Sequence, residues 1–350
     1  MDYAASIKER ALQLGFSKCG IISVDSVRGY KEKLDERIAE FPESSAFYNK
    51  FYSFADVREK FSWARSLVVC VFDYNNYKIP ENVRGRIGAI YLFDGRRDKN
   101  SDAYQARNEL TAYMESIGIR VAGKDDRDVT ALRFAAEKAG LGKIRRNNFF
   151  YTEKGSWNYI DVFVIDKELE LIEQSYLKQC PKDCDKCILA CPTRSLTRPL
   201  TMNPLRCVSY LTARGGGTVD LVGNPVSKEI GKWIYGCDAC QSACPFNKNR
   251  FTEDAEYPGL AEMAGDLSPE KIIDMDDEYL LNVVFPKFRY LGPDKKWVWK
   301  VNALNAMNND YQKMYDAHII KCLDDPDERV RRMAEWVRSI HKDKNESPSP

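Results

Sequence analysis

Two runs of cysteine in this chain end alike. Cys184, Cys187 and Cys191 precede Pro192, and Cys237, Cys240 and Cys244 precede Pro245. Both have the spacing Cys-x2-Cys-x3-Cys-Pro, with Cys180 ahead of the first run and Cys207 alone between the two. Eight of the eleven cysteines fall within residues 180–244. Iron–sulfur clusters need soft, anionic ligands, and thiolate supplies both properties. In two-cluster ferredoxins the cysteine before proline serves the other cluster. By that rule Cys180, Cys184, Cys187 and Cys244 make one ligand set. Cys237, Cys240 and Cys191 make three members of a second, and Cys207 is the unassigned cysteine that completes it. Three residues separate Cys180 from Cys184 where two are usual, so Cys180 is the outlying ligand. The competing chemistry is a pair of zinc sites, but zinc ribbons favour Cys-x2-Cys pairs with no trailing proline.

Something must position these ligands and use their electrons. The chain has 350 residues, 44% hydrophobic and 30% charged, enough for two or three domains. The apolar run 66–72 reads as a buried strand, and 19–24, 118–122 and 159–165 read as further strands. Helices are expected over 2–14, 25–40, 102–117 and 129–139, the last capped by Asp128 and stopped by Gly140. Cys70 and Cys322 lie in apolar patterns and read as core. This alternation predicts an α/β domain over residues 1–166. A ferredoxin-like double-cluster region follows over 167–250, where bound metal replaces an apolar core. Residues 251–340 return to helical periodicity, with a helix-turn-helix pattern of HEAT type over 311–338. Residues 341–350 are polar and read as a disordered tail.

Composition narrows the function. The two histidines, His318 and His341, lie near the C-terminus, which excludes most catalytic zinc chemistry from the first 300 residues. No apolar run reaches membrane-spanning length, and the charged start is unlike a secretory signal. The expectation is a cytoplasmic chain with no membrane contact, where so many cysteines serve metal or catalysis and not disulfides. The last hundred residues carry 14 Lys and Arg against 20 Asp and Glu, so any polyanion would meet the front of the chain. Lys143, Arg145 and Arg146, with Arg84, Arg86, Arg96 and Arg97, are the basic residues that could meet phosphates.

The segments 206–212 and 234–247 resemble the epoxyqueuosine reductase family. Cys191–Leu196, the strand segment 64–74, Ala139–Gly142 and Gly155–Trp157 are similar to further landmarks of that family. The resemblance implies two 4Fe–4S clusters beside a cobalamin, which removes the epoxide oxygen of a modified tRNA base. It implies cobalamin contacts at Gly140, Gly142, Lys143, Arg145, Arg146, Asn147, Ser156, Trp157 and Tyr210. It also places at Asp126 the acid that protonates the leaving oxygen, which is general acid work. The chain departs from the family pattern at Val129, at Leu132 and Arg133, at Asp98–Asn100, and at Lys143, Arg145 and Arg146. These departures cluster away from the cysteines, so a divergent substrate is in view.

The expected protein is a monomeric, corrinoid-dependent reductase fed by a low-potential electron donor, with tRNA as a possible partner. Two other classes compete. One is a 4Fe–4S carrier that serves a separate corrinoid enzyme; the other is a reductase of a small molecule, similar to reductive dehalogenases.

Overall fold

The computed structural model describes residues 2–93, 95, 98–123 and 129–345, the last four as backbone only. The apolar run at its centre is a strand, β2 (Ser66–Asp73), buried at every residue but the last. It lies in a four-stranded sheet between β1 (Lys18–Ser23) and a strand at Asn158–Ile165, with the short β3 (Val121–Ala122) at the far edge. A hairpin of β4 (Lys143–Ile144) and β5 (Phe150–Tyr151) stands outside the sheet, so Asn158–Ile165 is β6.

Helices and strands alternate as expected, but every neighbouring pair in the sheet is antiparallel. The register shows why. Ser23 pairs with Ser66, so residues 24–65 leave and return at one end of the sheet. Asp73 pairs with Asn158, so residues 74–157 do the same at the other end. A chain that returns to the end it left must run back antiparallel. Other boundaries also shift. The strand expected over 118–122 keeps only Val121–Ala122. The helix expected from residue 129 runs Leu132–Lys138 with Ala131 at its N-cap position, and Asp128, expected as the cap, lies outside the described residues. Gly140 stops it at φ 72°, a conformation that favours glycine.

Both faces of the sheet are covered. One packs Ile22, Leu67, Val69, Val162 and Val164 against Ala135, Ala136 and Ala139. The other packs Ile21, Val68 and Phe163 against Ile7, Leu110 and Met114. Cys19 and Cys70 face each other in register inside this core, away from the cysteine runs. From the helix Asp102–Ser116, Arg107 reaches beneath the sheet. Its guanidinium bonds the Asp161 carboxylate on β6 and the Gly123 carbonyl, and lies 4.9 Å from the centre of the Phe163 ring.

A third core joins Tyr74, Ile87 and Phe93 to Val208, Ile234 and Tyr235 and to Trp299, Ala303, Val330 and Val337 of the C-terminal helices. These helices run Lys296–Asn309, Asp316–Lys321 and Glu328–Asn345. Asn302 donates to the carbonyls of Thr212 and Ile234, both at 2.9 Å, and Asn305 donates to those of Ser227 and Gly231. Four backbone acceptors around the second cysteine run are thereby held by one helix. Cys322 is buried in this core. The last helix continues to Asn345, past the point where the sequence pattern predicts disorder. The reason is His341, which is buried, stacks on Tyr311 at 4.0 Å and bonds Asn308. No helix among the described residues is long and apolar enough to cross a membrane.

Candidate metal centre

Each cysteine run folds as one short helical turn. Lys186–Leu189 carries Cys187, and Ala239–Ser242 carries Cys240. The local hydrogen bonds repeat: Ile188 N–H to the Asp185 carbonyl and Gln241 N–H to the Asp238 carbonyl, at 2.8 and 2.9 Å. Then Cys191 N–H bonds the Ile188 carbonyl and Cys244 N–H the Gln241 carbonyl, at 3.2 and 3.1 Å. The proline after each run cannot donate a further helical bond, so the chain turns away there. The two turns pack on each other, and each Cys-Pro corner meets the other run.

The thiols gather in two groups of four. Cys180, Cys184, Cys187 and Cys244 line one hollow together with Arg145, Asn147 and Phe246. Cys237 and Cys240 lie within electrostatic reach of Cys207 and Cys191. Burial pushes the Cys187 thiol up to about 11, and the nearby Cys244, Cys180 and Cys184 add to the shift. Burial likewise raises Cys207, Cys237 and Cys240. Thiols in this state keep their protons at neutral pH unless a cation draws them off. The donor set therefore fits a resident cationic centre. A single zinc holds its sulfurs at about 2.3 Å, and among the described residues no three His, Cys, Asp or Glu side chains gather closely enough to share one ion.

The surrounding wall comes from residues 145–157. Asn147 donates to the Tyr151 hydroxyl at 2.9 Å and to the Cys240 carbonyl at 3.1 Å. Tyr151 is hydrogen-bonded to Cys244 in turn. Arg146 donates to the carbonyls of Pro181 and Lys182, clamping the loop between Cys180 and Cys184. Asn247 is a buried hub: it accepts from Ser156 N–H at 2.9 Å and donates to Ser156 Oγ and the Gln241 carbonyl, both at 2.8 Å. Asp238 accepts from Ala89 N–H at 2.8 Å, and burial pushes its carboxyl up to about 7.

Of the residues that sequence reasoning assigns to cobalamin, Arg145, Arg146, Asn147 and Ser156 bond to the cysteine segments. At Gly140 a Cβ would meet the Glu173 carbonyl oxygen at 1.7 Å, and at Gly142 the Tyr151 carbonyl oxygen at 2.1 Å. Lys143 lies in the β4–β5 hairpin. Trp157 packs edge-on against Phe251, and Tyr210 against Phe47. Asp126 lies outside the described residues, as do Arg96 and Arg97. Arg84 pairs with Glu81 and Glu253, and Arg86 with Asp310, so these two are engaged within the protein. Sequence reasoning passes over Tyr151, Asp238, Gln241 and Phe246. For Asp238, Gln241 and Phe246 the available signal was their position beside cysteines, in the segment that ends at Asn247, whereas Tyr151 has no cysteine near it in sequence.

A family model described as a 4Fe-4S double cluster binding domain matches residues 179–247. The epoxyqueuosine reductase of Prochlorococcus marinus (strain NATL2A) is 25% identical over 314 residues, which is 86% of this chain and 96% of that protein. The solved epoxyqueuosine reductase of Streptococcus thermophilus superposes with a TM-score of 0.75 at 21% identity, covering 100% of this chain and 96% of that one. The chain is similar to epoxyqueuosine reductases in sequence and in fold. A further solved epoxyqueuosine reductase, holding an epoxyqueuosine-modified tRNA-Tyr stem loop, superposes at 0.74 with 20% identity, covering 99% of this chain and 94% of that one. The likeness to epoxyqueuosine reductases spans the whole fold, whereas the double-cluster match covers the cysteine region.

Removing the Asn247 amide is expected to damage both fold and metal centre. Asn247→Ala leaves Ser156 N–H buried without its acceptor, at about 1–3 kcal/mol, and takes one of two donors from the Gln241 carbonyl, which keeps Cys244 N–H. Anaerobic thermal unfolding should show a lowered midpoint and elemental analysis a reduced iron content.

Proposed function

We propose that this chain is an iron–sulfur, corrinoid-dependent oxidoreductase that reduces epoxyqueuosine to queuosine in tRNA. The observation that carries the reading is the pair of abutting four-thiol groups within a fold shared along its whole length with epoxyqueuosine reductases. In this reading Cys180, Cys184, Cys187 and Cys244 hold one 4Fe–4S cluster, and Cys191, Cys207, Cys237 and Cys240 the other. In this reading the protein is a monomer in the cytoplasm, its helical end is of HEAT type, and a low-potential donor supplies electrons.

Two buried clusters pass electrons one at a time, and opening a C–O bond reductively takes two. When bound, a corrinoid supplies a metal centre able to take up both and act on the substrate carbon. The chain fits such a group in two respects. Trp157 holds a buried indole N–H with no acceptor among the described residues, a donor that a cofactor oxygen would satisfy. The histidines are elsewhere, His318 beside Asp274 and His341 on Tyr311, so no imidazole is offered to the cofactor's metal. Lys143, Tyr210 and the wall residues Gly140, Gly142, Arg145, Arg146, Asn147 and Ser156 would complete its surroundings. Asp126 would deliver the proton to the leaving oxygen.

An RNA-compatible face adjoins the second thiol group. Tyr210, three residues after Cys207, meets Phe47 edge-on at 5.5 Å. Arg214 lies 5.9 Å from the rings of both Phe51 and Tyr290, and Arg289 lies 5.1 Å from Tyr290. Half-exposed rings interleaved with guanidiniums suit unstacked bases and their phosphates.

The test is turnover of an epoxyqueuosine-modified RNA stem loop by anaerobically reconstituted, cobalamin-loaded protein with a chemical reductant. Conversion to queuosine, seen as loss of one oxygen by mass spectrometry, is expected. Loaded protein that is inert on this RNA would sink the tRNA reading, and failure to bind cobalamin would leave an electron carrier. Asp126→Asn should keep the cluster absorption and slow turnover by about 10²–10⁴-fold; unchanged turnover removes Asp126 from the reaction.

A further inference from the structure

The first thiol group has a buried cation against it. Arg145 follows β4, and its backbone N–H bonds the Phe149 carbonyl at 3.0 Å. Its side chain is 3% exposed. The Nη1 atom lies 3.6 Å from Cys180 Sγ, and the guanidinium sits 3.5 Å from the centre of the Phe246 ring. The Tyr151 ring is 5.2 Å away. Phe246 follows Cys244 and Pro245, so the cation is gripped between two segments that each contribute a thiol to the same group. Among the described residues Nε makes no hydrogen bond and no carboxylate pairs with Arg145. The second group is dressed differently: there the buried carboxyl of Asp238 stands against Cys237.

Reduction adds negative charge to a cluster. Its potential responds to net charge, to hydrogen bonds on its sulfurs and to exposure. A guanidinium fixed in a low-dielectric wall stabilises the reduced state more than the oxidised one. Arginine suits the task because it stays charged when buried and stacks flat on aromatic rings. We propose that Arg145 raises the reduction potential of the cluster held by Cys180, Cys184, Cys187 and Cys244, so that this cluster fills with an electron before its neighbour. Arg145 acts through Cys180 and is a positioning and tuning residue, not a catalytic one. The inference rests on the two-cluster reading. It falls at a position where the chain departs from the family pattern, so the tuning is a property of this chain's own wall.

The experiment is a redox titration followed by electron paramagnetic resonance, on full-length protein reconstituted with iron and sulfide and given neither corrinoid nor RNA. Wild type is expected to take up its two electrons in two resolved steps. In Arg145→Gln the upper step should move down, with the reduced-to-oxidised ratio at the wild-type midpoint falling about tenfold, which is about 59 mV for one electron. Arg145→Lys keeps the charge and loses the flat stack, and should fall between the two. Iron content separates the possible failures. Wild type holding fewer than two clusters overturns the cluster reading itself. Arg145→Gln with full iron content and both midpoints unchanged overturns the tuning. If Arg145→Gln sheds iron, the neutral and equally long Arg145→Met decides: a lowered upper step supports the proposal, and an unchanged one defeats it.

Discussion

Cys207→Ala is expected to leave about four iron atoms on a chain that otherwise carries about eight, and to abolish reduction of the RNA substrate. Cys207 belongs to neither cysteine run, and a reading based on motifs alone would let it go. It lies instead in electrostatic reach of Cys237, Cys240 and Cys191, and a cube with one corner unligated is labile. The crossed arrangement makes the result more specific. Cys191→Ala should damage the same cluster as Cys207→Ala, although Cys191 sits in the first run. Cys244→Ala should damage the other, although it sits in the second. Iron analysis and the resonance spectrum of each reduced variant check this. Full iron in Cys207→Ala, or one shared spectrum for Cys191→Ala and Cys244→Ala, contradicts the grouping.

The second large effect is on the fold. Arg107→Ala is expected to destabilise the protein by about 3–5 kcal/mol, the cost of taking one member of a buried ion pair away from the other's charge. The charge is Asp161 on β6, 4% exposed, and the same change also deprives the Gly123 carbonyl of its donor. Replacing both members by apolar residues, as in Arg107→Met with Asp161→Leu, should cost much less, because both buried charges leave together. Denaturant or thermal unfolding of the three proteins measures this. A double variant as unstable as Arg107→Ala would show that packing, and not charge, governs the site.

Some of this was legible in the sequence and some was not, for physical reasons. Ligand spacing is local, so the four-by-four division of thiols could be read from residues 180–244. Buried strands such as Ser66–Asp73 are also local, as continuous apolar runs. Strand direction is not, because it depends on where residues 24–65 and 74–157 come back to the sheet. The Arg107–Asp161 pair joins residues far apart on a helix and a strand, and nothing near either announces the other. Arg84 and Arg86 look free in sequence, yet their partners Glu253 and Asp310 arrive from the C-terminal part of the chain. Arg145 reads as one more surface cation until the hairpin turns it onto Cys180. The role of Asp126 comes from resemblance alone, and it falls outside the described residues.

The crossing of Cys191 and Cys244 between the two groups bears on how the protein is made. Synthesis runs from the N-terminus, and Cys244 is the last of the eight thiols to leave the ribosome. Until it does, the first group has three members and an open corner. The second group waits for Cys237 and Cys240, although Cys191 and Cys207 are already present. Neither centre can therefore be completed on a nascent chain that stops short of this segment. Metal insertion becomes a late, coupled event, and a chain truncated between Cys207 and Cys237 should emerge with both centres unfinished.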